Sequence, residues 1–151
     1  MSEVPLRIES QPAASDVEYL EDRINEFNIA RTGIDDGALL SIFVRDEANA
    51  IQAGLFGWTW GECCEIRFLW VDERLRGQGY GTRLLAAAER EAAMRGCRVI
   101  TLSTHSFQAP DFYQKQSYEV VGVLDDYPRG YQQYYLRKRL IPTPADRAAA
   151  P

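Results

Sequence analysis

The stretch Val71-Asp72-Glu73-Arg74-Leu75-Arg76-Gly77-Gln78-Gly79-Tyr80-Gly81-Thr82 carries the most specific chemistry in the chain. An apolar run ends there, glycines follow, and an Ala/Leu-rich run with helical spacing begins. Glycines let successive backbone N–H groups turn into one concavity, and a helix start adds partial positive charge. Such a place suits an anion, phosphate above all, with Arg76 as a charged donor. A Walker loop needs Gly-Lys-Ser/Thr at its end, whereas Gly81 precedes Thr82-Arg83. A dinucleotide loop needs Gly-x-Gly-x-x-Gly and an acidic residue closing the next strand. Counted from Gly77 or Gly79 the last glycine is missing, and the next strand closes Leu102-Ser103-Thr104. What remains is Arg-x-x-Gly-x-Gly, met by Arg76, Gly79 and Gly81 without a gap.

Two residue types nearby can move protons. A carboxylate such as Glu65, or the neutral imidazole of His105, the sole histidine, can take a proton from an amine. Asp125-Asp126 before Tyr127-Pro128 is either an acidic lip for a cationic substrate or a polar turn. The three cysteines, Cys63, Cys64 and Cys97, fit neither a disulfide framework nor a zinc pattern and read as reduced thiols. No metal-ligand spacing is present.

These residues must be positioned by alternating strands and helices. Residues 6–9 alternate and predict a short first strand. Ser15, with Glu18 three residues on, predicts a capping box for a helix carrying Val17, Leu20, Ile24 and Phe27, ended near Gly33. Residues 39–45 and 50–60 predict a hairpin across Asp46-Glu47-Ala48-Asn49. Gly54 and Gly57 in its second strand signal a bulge or a close backbone approach. Residues 64–71 predict a buried strand. Plain alternation puts Ile66, Phe68 and Trp70 on one face, and Glu65, Arg67, Leu69 and Val71 on the other. Residues 82–95 predict a helix with Leu84, Leu85, Ala88 and Ala92 inward, stopped by Gly96. A strand over 99–102, a short helix after Pro110, and strands over 118–124 and 134–140 complete the pattern. Residues 142–151, rich in Pro and Ala, predict a disordered tail after a single domain of residues 1–141.

With 151 residues, 46% of them hydrophobic, the chain has material for one core. A net charge of -5 argues against a nucleic-acid surface and agrees with a cationic substrate. Arg137-Lys138-Arg139 reads as a solvated strand end. No signal peptide and no membrane-spanning run is visible, so a cytoplasmic protein without membrane partners is expected. An exposed sheet edge offers a route to a homodimer.

The Arg76–Gly81 pattern, between a buried strand and an Ala/Leu helix, resembles the GNAT superfamily of acetyl-coenzyme A-dependent N-acetyltransferases. A second segment, Ala109-Pro110-Asp111-Phe112-Tyr113-Gln114-Lys115-Gln116-Ser117-Tyr118, is similar to the family's Ala-x-x-Phe-Tyr-x-Lys-x-Gly-Phe/Tyr, departing at Ser117 where glycine is usual. Ser106 stands where many members carry Asn. The resemblance covers about residues 6–140. It implies an α/β (α+β) fold: a mixed, mostly antiparallel central sheet splayed around the coenzyme and flanked by helices.

It also implies acetyl-coenzyme A as cosubstrate, with its pyrophosphate on Arg76, Gly77, Gln78, Gly79, Tyr80, Gly81 and Thr82. Its pantetheine arm would lie along the backbone of Leu69, Trp70 and Val71, as an added strand would. The N–H of Leu69 or Trp70 would hold the oxyanion. Tyr113 would protonate the leaving thiolate, since a phenol of pKa about 10 can donate to a thiolate of pKa about 8.5. Glu65, eleven residues before Arg76, matches the catalytic glutamate of the histone-acetyltransferase branch. Glu65, His105 or water remain the choices of general base. The expected reaction is direct attack of a small-molecule or peptide amine on the thioester in a ternary complex. The acceptor side would be built by residues 18–36 and the Tyr127 loop. The rival is a non-catalytic acyl-coenzyme A-binding sensor, which would keep the loop and have no use for Tyr113.

Overall fold

The computed structural model describes residues 4–140, which fall into two compact units divided between Asp35 and Asp36. The expected tail at residues 142–151 lies outside the described residues.

The first unit is built on one helix, α1 (Ala14–Thr32). Its C-terminus is closed by Gly33 in the left-handed region, φ 70°, with the Gly33 N–H on Ile29 O at 2.8 Å. The expected capping box does not form. Ala14, a strong helix former, is already helical, so the cap position falls on Ala13 and Ser15 sits inside the first turn. Residues 6–9 carry no regular structure and enter no ladder. Four alternating residues make a strand only where a sheet edge takes them up.

The second unit is a six-stranded sheet with two helices. Its strands are β1 (Ala38–Arg45), β2 (Ile51–Trp60), β3 (Cys63–Val71), β4 (Val99–His105), β5 (Glu119–Asp125) and β6 (Gln132–Arg139). Their order is β1-β2-β3-β4-β6-β5, and only the β3–β4 pair is parallel. A parallel pair needs a crossover, which α2 (Tyr80–Met94) supplies. The predicted mixed, mostly antiparallel sheet is therefore what forms. The β1–β2 turn is fixed by Asp46, whose Oδ1 accepts from the N–H of Ala48 at 3.0 Å and of Ala50 at 2.9 Å.

The core lies between one face of the sheet and α2. Leu84, Leu85, Ala88 and Ala92 from the helix meet Leu40, Leu55, Ile66, Ile100 and Leu136 from the strands. The basic strand end at β6 is paired across the sheet and with α2. Arg137 bonds Glu119 at 2.7 Å, and Lys138 bonds Glu89 at 3.0 Å. Glu89 also accepts from the Tyr118 hydroxyl at 3.0 Å.

One irregularity in β3 decides the site. Phe56 of β2 faces Phe68, but the next residue, Gly57, faces Ile66, so Arg67 is an extra residue in a bulge. Gly57 is required there, because a Cβ at that position would lie 2.1 Å from the Glu65 carbonyl oxygen. An inserted residue reverses the alternation beyond it. The expected faces of β3 are therefore corrected. Ile66 (4% exposed) shares the core side with Leu69 and Val71, while Glu65 shares the far side with Phe68 (61%) and Trp70 (48%).

The bulge coincides with the end of the β3–β4 ladder. Pairing runs from Cys63↔Val99 to Ile66↔Leu102 and stops, although β3 continues to Val71 and β4 to His105. The two strands splay and leave a wedge. α3 (Pro110–Lys115), with Pro110 in its first turn, follows β4 and carries Tyr113 to that wedge.

Candidate functional site

At the open end of the wedge, the glycine-rich loop is held by its own side chains. Asp72 Oδ1 accepts from the Arg74 N–H at 2.9 Å and caps a single 3-10 turn, Glu73–Leu75. Hydrogen bonds from Arg74 pull the Asp72 carboxyl down to about 2. Arg76 Nε donates to Val71 O at 3.2 Å, which pins this guanidinium to the end of β3. Gln78 Nε2 donates to Arg74 O at 2.9 Å and closes the loop. Gly77 and Gly79 take φ of 73° and 81°, the left-handed region that side chains resist. Gly79 caps α2 with no side-chain bond and no acidic residue in the first turn. The first helical bond runs from Arg83 N to Gly79 O at 3.0 Å, so the N–H groups of Tyr80, Gly81 and Thr82 precede it. This is a nest of amides suited to a diphosphate.

The loop opens onto a groove of about 740 Å³. Of the ten residues expected to hold the coenzyme, nine line it: Leu69, Trp70, Val71, Arg76, Gly77, Gly79, Tyr80, Gly81 and Thr82. Gln78 does not, being spent on the loop. Phe107, Gln108, Ala109 and Phe112 form the opposite wall and were missed. The Ala109–Tyr118 segment signalled Ala109 and Phe112, and a Cβ on Gly81 would lie 3.3 Å from the Phe112 ring, so loop and α3 pack closely.

The direction of the β3 peptide groups follows from one bond. Asp72 N donates to Gln52 O of the preceding hairpin strand at 2.9 Å. Alternate residues point the same way, so Trp70 also turns its peptide groups toward β2. Those of Leu69 and Val71 turn to the opposite edge, where β4 has diverged.

Deeper in the wedge lies a cavity of about 250 Å³ that contains Tyr113. Tyr113 is 7% exposed, with its ring edge-on to Phe112 at 5.1 Å and to Tyr118 at 5.9 Å. Burial pushes its phenol above the ordinary tyrosine value.

On the far face of the sheet a third cavity, about 260 Å³, contains Glu65, Arg67, Ser103, Tyr127, Gln133 and Tyr135. The three cavities share walls in series. The middle one shares Leu69, Trp70 and Phe112 with the groove, and Arg67 and Ser103 with the polar cavity. Glu65, Tyr113 and the amide nest thus line neighbouring cavities that have wall residues in common.

His105 is the last residue of β4 rather than beyond it, and it lines none of the three cavities. Its Nδ1 lies 3.0 Å from Tyr127 O; a carbonyl only accepts, so Nδ1 carries the proton. The ring stacks on Phe107 at 5.3 Å and meets Tyr127 at 5.4 Å, holding the β5–β6 loop. Ser106 helps, taking the Gln132 N–H on its Oγ at 3.1 Å. The cysteines are ill placed for nucleophilic work: Cys64 and Cys97 are buried, and burial pushes the Cys64 thiol up to about 12. Among the described residues, no group of His, Cys, Asp and Glu is placed to hold a metal ion, and no helix is long and apolar enough to cross a membrane.

Residues 7–118 match the Acetyltransferase (GNAT) family. The chain belongs to that family. It is an N-acetyltransferase that uses acetyl-coenzyme A, and the amide nest and groove fit that donor. The chain is 33% identical over 120 residues to acetyltransferase Atu2258 of Agrobacterium fabrum, covering 80% of this chain and 88% of the relative. It is 38% identical over 95 residues to the blasticidin-S acetyltransferase of Streptomyces morookaense, covering 62% and 70%. A crystal structure of an acetyltransferase from Bacillus cereus ATCC 14579 superimposes with a TM-score of 0.72 at 34% identity, covering 88% of this chain and 97% of that one.

Proposed function

We propose that this GNAT enzyme acetylates a primary amine on a small molecule, by direct attack within a ternary complex of enzyme, acetyl-coenzyme A and amine. The observation that carries the reading is a series of three cavities with shared wall residues, with the amide nest at one end, Tyr113 in the middle and Glu65 at the other.

Acetyl-coenzyme A supplies an activated acyl group. The N–H groups from Gly77 to Thr82 receive its pyrophosphate, and Arg76, whose own N–H bonds Glu73 O at 3.3 Å, adds positive charge. The outward peptide groups of Leu69 and Val71 pair with its pantetheine amides, much as a seventh strand would. The Leu69 N–H is then placed to stabilise the carbonyl oxygen as charge develops, in preference to Trp70, whose N–H is used by β2.

Glu65 takes the amine proton through a water. An amine of lysine-like pKa is mostly protonated at neutral pH, and freeing its lone pair costs roughly 4–5 kcal/mol at about 1.4 kcal/mol per unit. Tyr113 gives its phenol proton to the departing sulfur, and the second proton that the nitrogen sheds as the amide forms restores the phenol. Its raised pKa keeps that proton in place across the working range. The blasticidin-S acetyltransferase relative supports a small-molecule acceptor over a protein one.

A thiol-release assay over a panel of small amines, with Glu65→Gln beside the parent enzyme, tests the reading. Glu65→Gln is expected to lower kcat/KM about a hundredfold at neutral pH. The loss should shrink as pH rises toward the amine's own pKa, where no base is needed. An equal loss at every pH would remove Glu65 from the role, and coenzyme binding without turnover of any small amine would point to a peptide acceptor instead.

A further inference from the structure

The polar cavity on the far face holds a directed chain of hydrogen bonds that the transfer chemistry does not use. The Tyr135 hydroxyl donates to Gln133 Oε1 at 3.0 Å, and Gln133 Nε2 donates to Ser103 Oγ at 3.2 Å. A serine hydroxyl has two lone pairs and one proton. With one lone pair taken by Gln133, the Ser103 hydroxyl keeps its proton for a further partner. Ser103 borders both the polar cavity and the Tyr113 cavity, so its hydroxyl is within reach of an acceptor that approaches the reacting centre.

The neighbouring hydroxyl does not compete. Thr101, which registers against Glu65, donates its hydroxyl to Leu136 O at 2.9 Å. Ile66 and Leu102 also border the cavity, but both side chains belong to the core and are 4% exposed. The cavity therefore offers a ligand the Glu65 carboxylate, which accepts, and two kinds of donor, the Arg67 guanidinium and, about 7 Å along the strand direction from Glu65, the Ser103 hydroxyl.

We propose that Ser103, oriented by Gln133 and Tyr135, selects acceptors in which an oxygen accompanies the amine. The substrate class is a small hydroxylated amine, preferred over an alkylamine of the same size. The inference rests on the reading that this cavity receives the acceptor. A site built to bond a hydroxyl disfavours the analogue that lacks it, because the site's own group is then left unpaired.

The test compares 2-aminoethanol with propylamine, which differ only by hydroxyl for methyl, as acceptors for the full chain with acetyl-coenzyme A. The two amines differ in basicity, so the readout is the change in their kcat/KM ratio on substitution, not the ratio itself. Ser103→Ala is expected to cut the preference for 2-aminoethanol roughly five- to tenfold, the size of one hydrogen bond. Gln133→Ala, which removes the anchor of Ser103, is expected to move the ratio the same way. An unchanged ratio in both variants overturns the proposal. Glu65→Gln should lower the rate with both amines, so failure of the base assignment reads as an unchanged rate in that variant, not as an unchanged ratio in the Ser103 and Gln133 variants. Where neither amine turns over, the same ratio is read from binding to the coenzyme A complex, followed by NMR of the single histidine, His105, which registers against Gln133. Binding of neither amine at tens of millimolar also overturns the proposal.

Discussion

The groove for the donor and the cavity proposed for the acceptor are built from different material. The donor side is main chain: left-handed Gly77 and Gly79, the first amides of α2, and the outward edge of Leu69 and Val71. The acceptor side is side chain: Glu65 from β3, Ser103 from β4, Gln133 and Tyr135 from β6. Main chain can present one ligand shape with little regard to residue identity, provided glycines stand where the backbone demands them. Side chains can be exchanged without moving the backbone, so the acceptor side is free to vary while the donor side stays fixed. Substitutions on the first side should act through geometry, and on the second through chemistry.

Tyr113 stands between the two sides and should give the largest effect. Tyr113→Phe keeps the ring and removes the proton, and kcat is expected to fall between roughly 10² and 10⁴. Donor and acceptor KM should change far less. Burial raises the Tyr113 pKa above the ordinary value of about 10, so the parent rate should not decline through phenol ionisation until the pH is above that. The stability consequence has a definite sign. The folded pKa lies above the unfolded one, so the contribution is fully present below about pH 10 and is lost as pH rises through the folded value. Tyr118, raised by burial and by Glu89, acts in the same direction. Urea unfolding at pH 9 and pH 11 measures the fall, and Tyr113→Phe should flatten part of it. A full rate for Tyr113→Phe at every pH would end the acid assignment.

Gly57 tests whether the bulge is what separates the two sides. The Cβ of Gly57→Ala would lie 2.1 Å from the Glu65 carbonyl and 3.0 Å from Ile66 Cα, both main chain, so strand β2 or β3 must move. The expected cost is about 3 kcal/mol of stability, the upper range for overpacking, measured by urea unfolding. Activity should fall with it, because the register that puts Glu65 on the far face is set there. A variant as stable as the parent would mean that the bulge is not held by this contact.

Gly79→Ala sharpens the comparison from the donor side. A side chain at φ 81° costs roughly 1–2 kcal/mol in backbone strain. Relieving it would turn the nest amides away, so coenzyme A affinity by calorimetry is expected to weaken about tenfold. The preference between 2-aminoethanol and propylamine should stay as it is. A shift in that preference would show that the two sides are not separable.

The same contrast governs what could be read from the residues in order. The donor loop is contiguous, so Arg76, Gly79 and Gly81 announce it over six positions. The sheet and α2 were legible for a similar reason: each run carries its own period. The face of Glu65 was not. Alternation counted from the sequence assumes an unbroken pleat, and one extra residue at Arg67 reverses it. Gly57 carried the signal of a close approach without saying which strand approached. The chain Tyr135–Gln133–Ser103 joins residues on two strands through their register and leaves no local pattern. The Ser15 box and the strand at residues 6–9 failed in the opposite way: a correct local pattern was overridden by where the helix began and by the lack of a partner strand.

Ser117 offers the smallest test, and it probes the support of Tyr113 rather than its chemistry. The family's glycine position is occupied here by serine, yet the backbone still takes φ 70°, in the left-handed region. Around it Ser117 N bonds Gln114 O at 3.0 Å and Tyr118 N bonds Tyr113 O at 3.1 Å, so the turn that ends α3 is fully formed. The serine therefore bears a strain that glycine would not, offset in part by the greater freedom of glycine in the unfolded chain. Ser117→Gly is expected to stabilise the protein by up to about 1 kcal/mol, read as a higher urea midpoint with an unchanged slope. It should leave the Tyr113 pH behaviour as it stands, since the Tyr113 ring is positioned by Phe112 and Tyr118 rather than by residue 117. A loss of stability would show that the serine side chain contributes more to the exit of α3 than its backbone costs.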